Sequence, residues 1–389
     1  MKKRILALLL VLVMGLSLAA CSAPAADQSE QPSETPSAST EPTTSTQPAI
    51  EADLSVDILT FANADLAAAT DVLTVNGEAV PTSRFCYWLA FSCSYFESMY
   101  YYYGYTVADF AAYIMNDACT MAAYYTLLEK KATELGCPLT DDQLAAIIED
   151  MGVGTDAHTE RQVMYGLTHE DLMFVYSVGD LYNNVRDALF PVITEDDLNN
   201  YVYQVKHILI TTAASSAAGM ITLSTGNTVE YDGTVEEYNA EALAKAESLL
   251  AEIRAAADTE AKFDELMHKY SEDGRDADGN LGAPDGYTAT PGQMVAEFEN
   301  TAFATGIGEV SDVVKSSYGY HIILRGEVED LESYAEDCAS GKMDSVIDSW
   351  MSEAEVTVGE VLNTVDVADF YERYIAWQNA YILANPVDK

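Results

Sequence analysis

Positive charge is scarce in this chain. Its 389 residues hold 19 Lys and Arg against 63 Asp and Glu, a formal net charge of −44 at pH 7. A field of that sign repels phosphate backbones and anionic lipid headgroups, which argues against nucleic acid as a partner and favours basic, partly unfolded chains. Cysteine is sparse and unpatterned: beyond Cys21 there remain Cys86, Cys93, Cys119, Cys137 and Cys338, an odd number with no CxxC and no metal-ligand spacing. They specify no disulfide framework and no metal site. Cys86 and Cys93 lie two helical turns apart, about 10 Å along a helix, which is beyond disulfide reach, so both read as small apolar core residues. Long hydrophobic runs are also missing after the N-terminus. The apolar stretch from Phe85 to Phe96 is closed off by Arg84 and Glu97, too short for the ~20 residues of a membrane span.

What is present is apolar content of 49%. A chain of this length has enough for two folded domains, because single cores rarely grow past about 250 to 300 residues. The first residues form a targeting signal: basic Lys2, Lys3 and Arg4, an apolar run from Ile5 to Leu16, then small residues before Cys21. Leu18-Ala19-Ala20-Cys21 resembles the lipobox of bacterial lipoproteins. That resemblance implies removal of residues 1–20, diacylation of Cys21 and anchoring at the outer face of a cell membrane, since two acyl chains suffice for stable attachment. From Ser22 to about Ala49 the chain is Ser, Thr, Pro, Glu, Gln and Ala without an aromatic residue. It cannot bury enough area to fold and reads as a tether, with a reach on the order of 30 Å. Residues 21–70 are therefore expected to be linker.

Folding is expected to begin near Asp71, where Val72 to Val75, Asn76-Gly77 and Glu78 to Val80 form a hairpin signature. Helices should follow. Phe110, Ile114, Ala118, Met121, Tyr125 and Leu128 make one apolar stripe that ends at Gly136. Thr140 to Gln143, Thr168 to Asp171 and Thr194 to Asp197 are capping-box starts. Residues 71–198 thus read as a mainly helical domain. At Tyr201 to Thr211 a β-branched run opens a stretch of alternating strand and helix signals, 199–330, within which residues 212–237 read as a surface loop or hairpin. Residues 331–389 return to helix, with a β-rich piece from Val356 to Val367 and a last helix carrying Phe370, Tyr374, Trp377 and Tyr381. That last segment is too small to bury its aromatics alone, so it should pack with 71–198.

Four pieces of the middle region, taken in order, resemble the parvulin family of peptidyl-prolyl isomerases. They are Val205 to Ile210; Phe263 to Leu266 leading through Tyr270 to Asp273; Gly279 to Gly282 with Gly292 to Met294 and Glu297 to Glu299; and Gly308 to Ser311 followed by Tyr318 to Ile323. The flanks, more loosely, resemble the helical parts of PrsA and SurA foldases, and the lipoprotein start favours the PrsA-like, Gram-positive branch. The fold so implied is α+β: a helical chaperone-like domain built from both ends of the chain, with an inserted parvulin domain on an FKBP-like antiparallel sheet.

Residue by residue, the resemblance assigns His207 and His321 to the paired imidazoles on neighbouring strands and Asp273 to the position held by Cys or Asp. Leu281, Met294 and Phe298 fall at the apolar positions lining the proline pocket; Ser316 and Tyr318 fall at the polar positions before His321. His158, His169 and His268 match nothing. Taken singly, His207 would be read as a satisfied sheet histidine, and Met294 and Phe298 as helix-spaced core. The sequence departs from the family in a longer segment between Gly282 and Gln293, which puts substrate preference in doubt, and in Asp312-Val313-Val314, where a proline usually follows.

The activity implied is cis/trans isomerisation of X-Pro bonds in exported polypeptides, without cofactor or metal. No Lys or Arg cluster surrounds the pocket positions, which argues against phosphate-directed substrates. The expected partners are unfolded exported chains and, through the anchor, the membrane; a homodimer is left open. The alternative is a non-enzymatic holdase that keeps a degenerate parvulin domain as a platform. The aromatic run from Phe96 to Tyr105 reads first as core packing and second as a client-binding surface.

Overall fold

A computed structural model describes residues 50–275 and 279–386. The chain divides into two compact units, one ending at Leu189 and resuming at Met343, the other running Phe190–Lys342. Cys21 and the signal segment lie outside the described residues.

The first unit opens with two short helices, α1 (Ile58–Ala62) and α2 (Ala64–Ala68), capped by the side chains of Asp57 and Asn63. This corrects the expected start near Asp71: residues 58–68, read as linker, are folded. Ile58 and Leu66 are fully buried, and Trp377 Nε1 donates to Val56 O at 3.1 Å. Helices this short have no stability of their own; their apolar residues find partners only in the folded unit, which sequence periodicity cannot register.

Strands β1 (Leu73–Val75) and β2 (Glu78–Ala79) form the expected hairpin. Asn76 and Gly77 turn it with φ of 52° and 79°, the pair of positive angles that Asn-Gly accommodates. Next come α3 (Thr82–Tyr100), α4 (Ala111–Glu134), α5 (Asp141–Met151), α6 (Asp156–Tyr165) and α7 (His169–Leu189). Arg84 on α3 ties to Asp171 on α7 at 2.8 Å, and Asp171 also accepts from Ser83 and Thr168, each at 2.7 Å. A buried ion pair is tolerated only when its remaining valences are met in this way. Cys86 and Cys93 are buried, as expected of core residues.

The second unit begins with α8 (Glu195–Asn199), β3 (Tyr203–Thr211), β4 (Ala213–Ala217), β5 (Met220–Leu223), β6 (Thr228–Glu230), α9 (Val235–Ala255) and α10 (Thr259–Tyr270). It continues through β7 (Tyr287–Ala289), α11 (Ala296–Ala304), β8 (Val314–Lys315) and β9 (Gly319–Gly326). The main sheet has the order β7-β3-β9-β8, every pair antiparallel. Because side chains alternate across a strand, Ile208, Ile210, Ile322 and Leu324 point into a core with α9 and α10. Tyr203, Val205 and Ile323 point the other way, against Phe298 and Ala302 of α11. The segment read as loop or hairpin is a separate sheet of order β4-β5-β6.

Helix α12 (Ala335–Glu353) crosses the division between the units, and β10 (Val356–Val358) and α13 (Val367–Ala384) return to the first. The second unit reaches past 199–330 at both ends: Lys342 on α12 bonds Asp197 of α8. β10 pairs with β1, Leu73 opposite Val358 and Val75 opposite Val356, so the two ends of the chain share one sheet. The β-rich piece expected to reach Val367 stops at Val358, and a 3-10 turn, Glu360–Thr364, follows. Gly359 sits where a Cβ would stand 2.0 Å from Asp71 O, so the strand can leave the sheet only at a residue without a side chain.

Candidate functional site

The candidate site lies on the face of the main sheet that packs against α11. His207 on β3 and His321 on β9 occupy the two central strands, and the register sets Leu209 opposite His321 and His207 opposite Ile323. The two imidazoles are therefore diagonal neighbours on one face. Their rings stack with centroids 5.4 Å apart and planes inclined by 15°. Phe298 meets both edge-on, at 5.0 Å from His207 and 5.3 Å from His321.

A line of hydrogen bonds runs through the pair. Asp273 Oδ2 lies 3.0 Å from His207 Nε2, His207 Nδ1 lies 3.2 Å from His321 Nδ1, and His321 Nε2 lies 2.7 Å from Ser316 Oγ. At its far end Ser316 Oγ accepts from the Tyr318 backbone N–H at 3.1 Å. At its near end Asp273 Oδ2 also accepts from Tyr287 Oη at 2.6 Å.

The protons follow from the requirements of each group. The hydrogen bond from His207, together with that from Tyr287, holds the Asp273 carboxyl below its ordinary value against the opposing effect of burial. It is an anion, so His207 Nε2 carries hydrogen. Burial, aided by repulsion from His207, pushes His321 down to about 3, so this ring is neutral. Of the two facing Nδ1 atoms one donates and the other accepts, and His321 Nε2 meets Ser316 Oγ in the complementary sense. The contacts form one unbroken line that ends on Asp273, and linked hydrogen bonds polarise one another. Burial pushes the Tyr287 phenol up to about 12, with the Asp273 carboxylate adding to the effect; it stays protonated and remains a donor.

Exposure separates supporting groups from those within reach of a bound molecule. Asp273 keeps 29% of its side-chain surface open and the His207 side chain 9%, while His321 and Ser316 are buried. The histidines and Ser316 are thus enclosed, and Asp273 is the open end of the line. Met294 packs against the same core as Phe298.

Two sequence assignments change character. Leu281 packs, as Tyr270 and Val310 do, against the core on the α9–α10 side, so it is not grouped with Met294 and Phe298. Ser316 is spent on His321 and has no free surface for a substrate. Tyr318 is 48% exposed and enters the line only through its backbone.

Tyr287 was missed by sequence reading. It lies in the stretch between Gly282 and Gln293 where the sequence departs from the parvulin pattern, on a strand of three residues paired to β3 through Val205. Gly286, just before it, would drive a Cβ to 2.2 Å from Val205 O. A glycine directly before an aromatic residue was the local signal of a close strand crossing, and Gly286 takes φ 87° there. Among the described residues, no group of three or more His, Cys, Asp or Glu is arranged to hold a metal, and no helix is long and apolar enough to cross a membrane.

Residues 189–327 match the family model of the PPIC-type PPIase domain. Over 96 residues the chain is 41% identical to the foldase protein PrsA of Geobacillus kaustophilus, covering 24% of this chain and 32% of that protein. Over 133 residues it is 32% identical to foldase protein PrsA 3 of Bacillus cereus, covering 32% of this chain and 44% of that protein. The chain thus spans less than half the length of these relatives. A crystal structure of the peptidylprolyl isomerase PrsA from Bacillus cereus aligns at 20% identity over 70% of this chain and 94% of that one, with a TM-score of 0.32, which adds nothing to the family match. The match, the antiparallel sheet and the order of its elements agree: within residues 189–327 this chain carries a PPIC-type peptidyl-prolyl isomerase domain, of the parvulin kind.

Proposed function

We propose that the second unit catalyses cis/trans isomerisation of X-Pro bonds and that the whole chain assists the folding of exported polypeptides. The observation that carries this reading is the ionised, half-open Asp273 at the end of an enclosed hydrogen-bond line, beside the apolar wall of Phe298 and Met294. Resonance holds an X-Pro amide planar behind a barrier of about 18 to 20 kcal/mol. No nucleophile is needed. Rotation removes the resonance, and with it part of the negative charge on the carbonyl oxygen. A fixed anion beside that oxygen repels the planar form more than the twisted one. Each ~1.4 kcal/mol of such discrimination is tenfold in rate. The half-buried Met294, packed on the core that the buried Phe298 ring belongs to, suits the prolyl ring and keeps water from weakening the field. The imidazole pair and Ser316 hold Asp273 in place and ionised; they do not touch the substrate.

We further propose that the protein acts outside the cytoplasmic membrane. This placement is supported by the signal-like start and the lipobox ending at Cys21, with unfolded exported chains as clients. The test is the exchange rate of an Xaa-Pro peptide, followed by NMR with the intact protein. Acceleration that disappears in Asp273→Ala supports the reading; exchange at the spontaneous rate with wild-type protein overturns it.

A further inference from the structure

The corner joining α3 to α4 carries a cluster of aromatic rings that the isomerase reading does not use. Tyr101 is 69% exposed, Tyr102 91%, Tyr103 76%, Tyr105 52% and Tyr113 70%. Core packing, the first sequence reading of this run, accounts for only part of it. Tyr100 stacks on Phe110 at 4.6 Å and on Phe96 at 6.0 Å, and Tyr105 and Tyr113 meet Phe110 edge-on. This small platform fixes the corner. The chain then turns through Tyr101–Tyr103 in a 3-10 helix, closed by Gly104 at φ 76°, and leaves Tyr101 and Tyr102 against each other at 5.8 Å.

The charge around these rings is of one sign. Between Arg84 and Lys130 the sequence has no Lys, Arg or His, while Glu97, Asp109 and Asp117 stand on the same elements. Asp109 is exposed, and the Thr106 backbone and hydroxyl hydrogen bonds lower its pKa, so it is an anion. On α13, which packs against this corner, the cation is Arg373, already held by Asp369 at 2.9 Å. Rings with electron-rich faces on an acidic stretch with the exposed Asp109, and without a competing cation, attract a positive partner twice over, through the ring faces and through the net field. A second copy of the chain would bring the same carboxylates face to face, and an anionic bilayer would be repelled.

We propose that this tyrosine corner is a docking surface for extended, cationic, proline-containing polypeptide segments. Proline favours the extended polyproline conformation, whose preformed shape docks on aromatic surfaces at low entropic cost, and Arg or Lys side chains supply the charge. The surface belongs to the helical unit. It stands or falls independently of catalysis by the other unit.

Two variants of the full chain test it: Tyr101→Ser/Tyr102→Ser/Tyr103→Ser, and Phe298→Ala as the control at the candidate catalytic site. The probes are a labelled peptide of Arg-Pro repeats, its Glu-Pro counterpart and phosphatidylcholine vesicles. The wild type is expected to bind the Arg-Pro peptide at least about tenfold more tightly than the Glu-Pro peptide, and raised salt should erode the difference. The triple variant should lose about tenfold in affinity for the Arg-Pro peptide, with unchanged exchange of a short neutral Xaa-Pro peptide, while Phe298→Ala should slow that exchange and leave the preference for Arg-Pro over Glu-Pro in place. Equal binding of both peptides, or full affinity in the triple variant, overturns the proposal. So does a triple variant that changes only vesicle binding or self-association.

Discussion

His207 and His321 meet through the same atom of each ring, Nδ1 to Nδ1 at 3.2 Å, so one must donate and the other accept. Two protonated rings could not keep this contact. Because burial drives His321 to about 3 from an ordinary 6.5, the unfolded chain takes up a proton in that interval and the folded one does not. Stability therefore falls on acidification from about 6.5 towards 3, by up to ~1.4 kcal/mol per pH unit for this group. Asp273, whose folded pKa is also depressed, contributes stability that is lost in the same direction at lower pH. Denaturant unfolding of wild type and His321→Gln across this range isolates the histidine. The difference between them should shrink as pH falls, and a difference that does not change with pH would contradict a neutral His321.

Asp273 and Phe298 should carry most of the rate. Asp273→Ala removes the open anion and Phe298→Ala removes the wall beside it. Each is expected to lower kcat/KM for an Xaa-Pro peptide by about tenfold to a hundredfold, on the scale of one or two lost contacts. Phe298 is buried, and truncation of a buried phenylalanine costs about 3 to 5 kcal/mol of stability, so circular dichroism must accompany the assay. Two folded variants with wild-type rates would mean that the site is elsewhere.

Tyr287→Phe is the cleaner probe of the anion. It keeps the ring against His207 and deletes only the 2.6 Å hydrogen bond to Asp273 Oδ2. Losing a donor that favours the charged form raises the Asp273 pKa. The acid limb of the kcat/KM profile should therefore move to higher pH, while activity at neutral pH changes less. An unmoved limb would separate Tyr287 from the working carboxylate.

Cys21→Ser tests the anchor, a position outside the described residues. If the lipobox reading is right, the variant is not acylated and passes from the detergent phase to the aqueous phase. Unchanged partitioning would remove the lipoprotein assignment.

Deleting Phe190–Lys342 and bridging the gap with a short flexible linker should leave a helical unit that still melts cooperatively. Its own sheet is closed by β10 on β1, and α13 packs on α1, with the Trp377–Val56 bond between α13 and the residue just before α1's cap. The product should suppress aggregation of an unfolded client without speeding X-Pro exchange. A product that fails to fold would show that the middle unit is needed for the helical fold itself.

Local signals were legible wherever a few adjacent residues settle the matter. The Asn76-Gly77 hairpin, the Thr140, Thr168 and Thr194 capping boxes and the stripe of α4 all depend on contacts within about four positions. The fold class was also readable, because the change from helical to strand periodicity near Tyr201 reflects which faces can be buried. The reading faltered at α1 and α2, whose helices exist only by tertiary contact, and at Leu281, which packs on the α9–α10 side of the sheet, a choice of face that no local pattern records.

By itself the sequence determined the chemical types at the site: two imidazoles on strands, a carboxylate after a helix, an aromatic residue on a later helix. Only the tertiary structure decided how they are joined. The β3–β9 register turns His207 and His321 to face each other through Nδ1, burial makes His321 neutral, and the short β7 strand brings Tyr287 to Asp273. Protonation and hydrogen-bond direction depend on desolvation and on neighbours 66 and 114 positions away in the chain, and no local pattern encodes those.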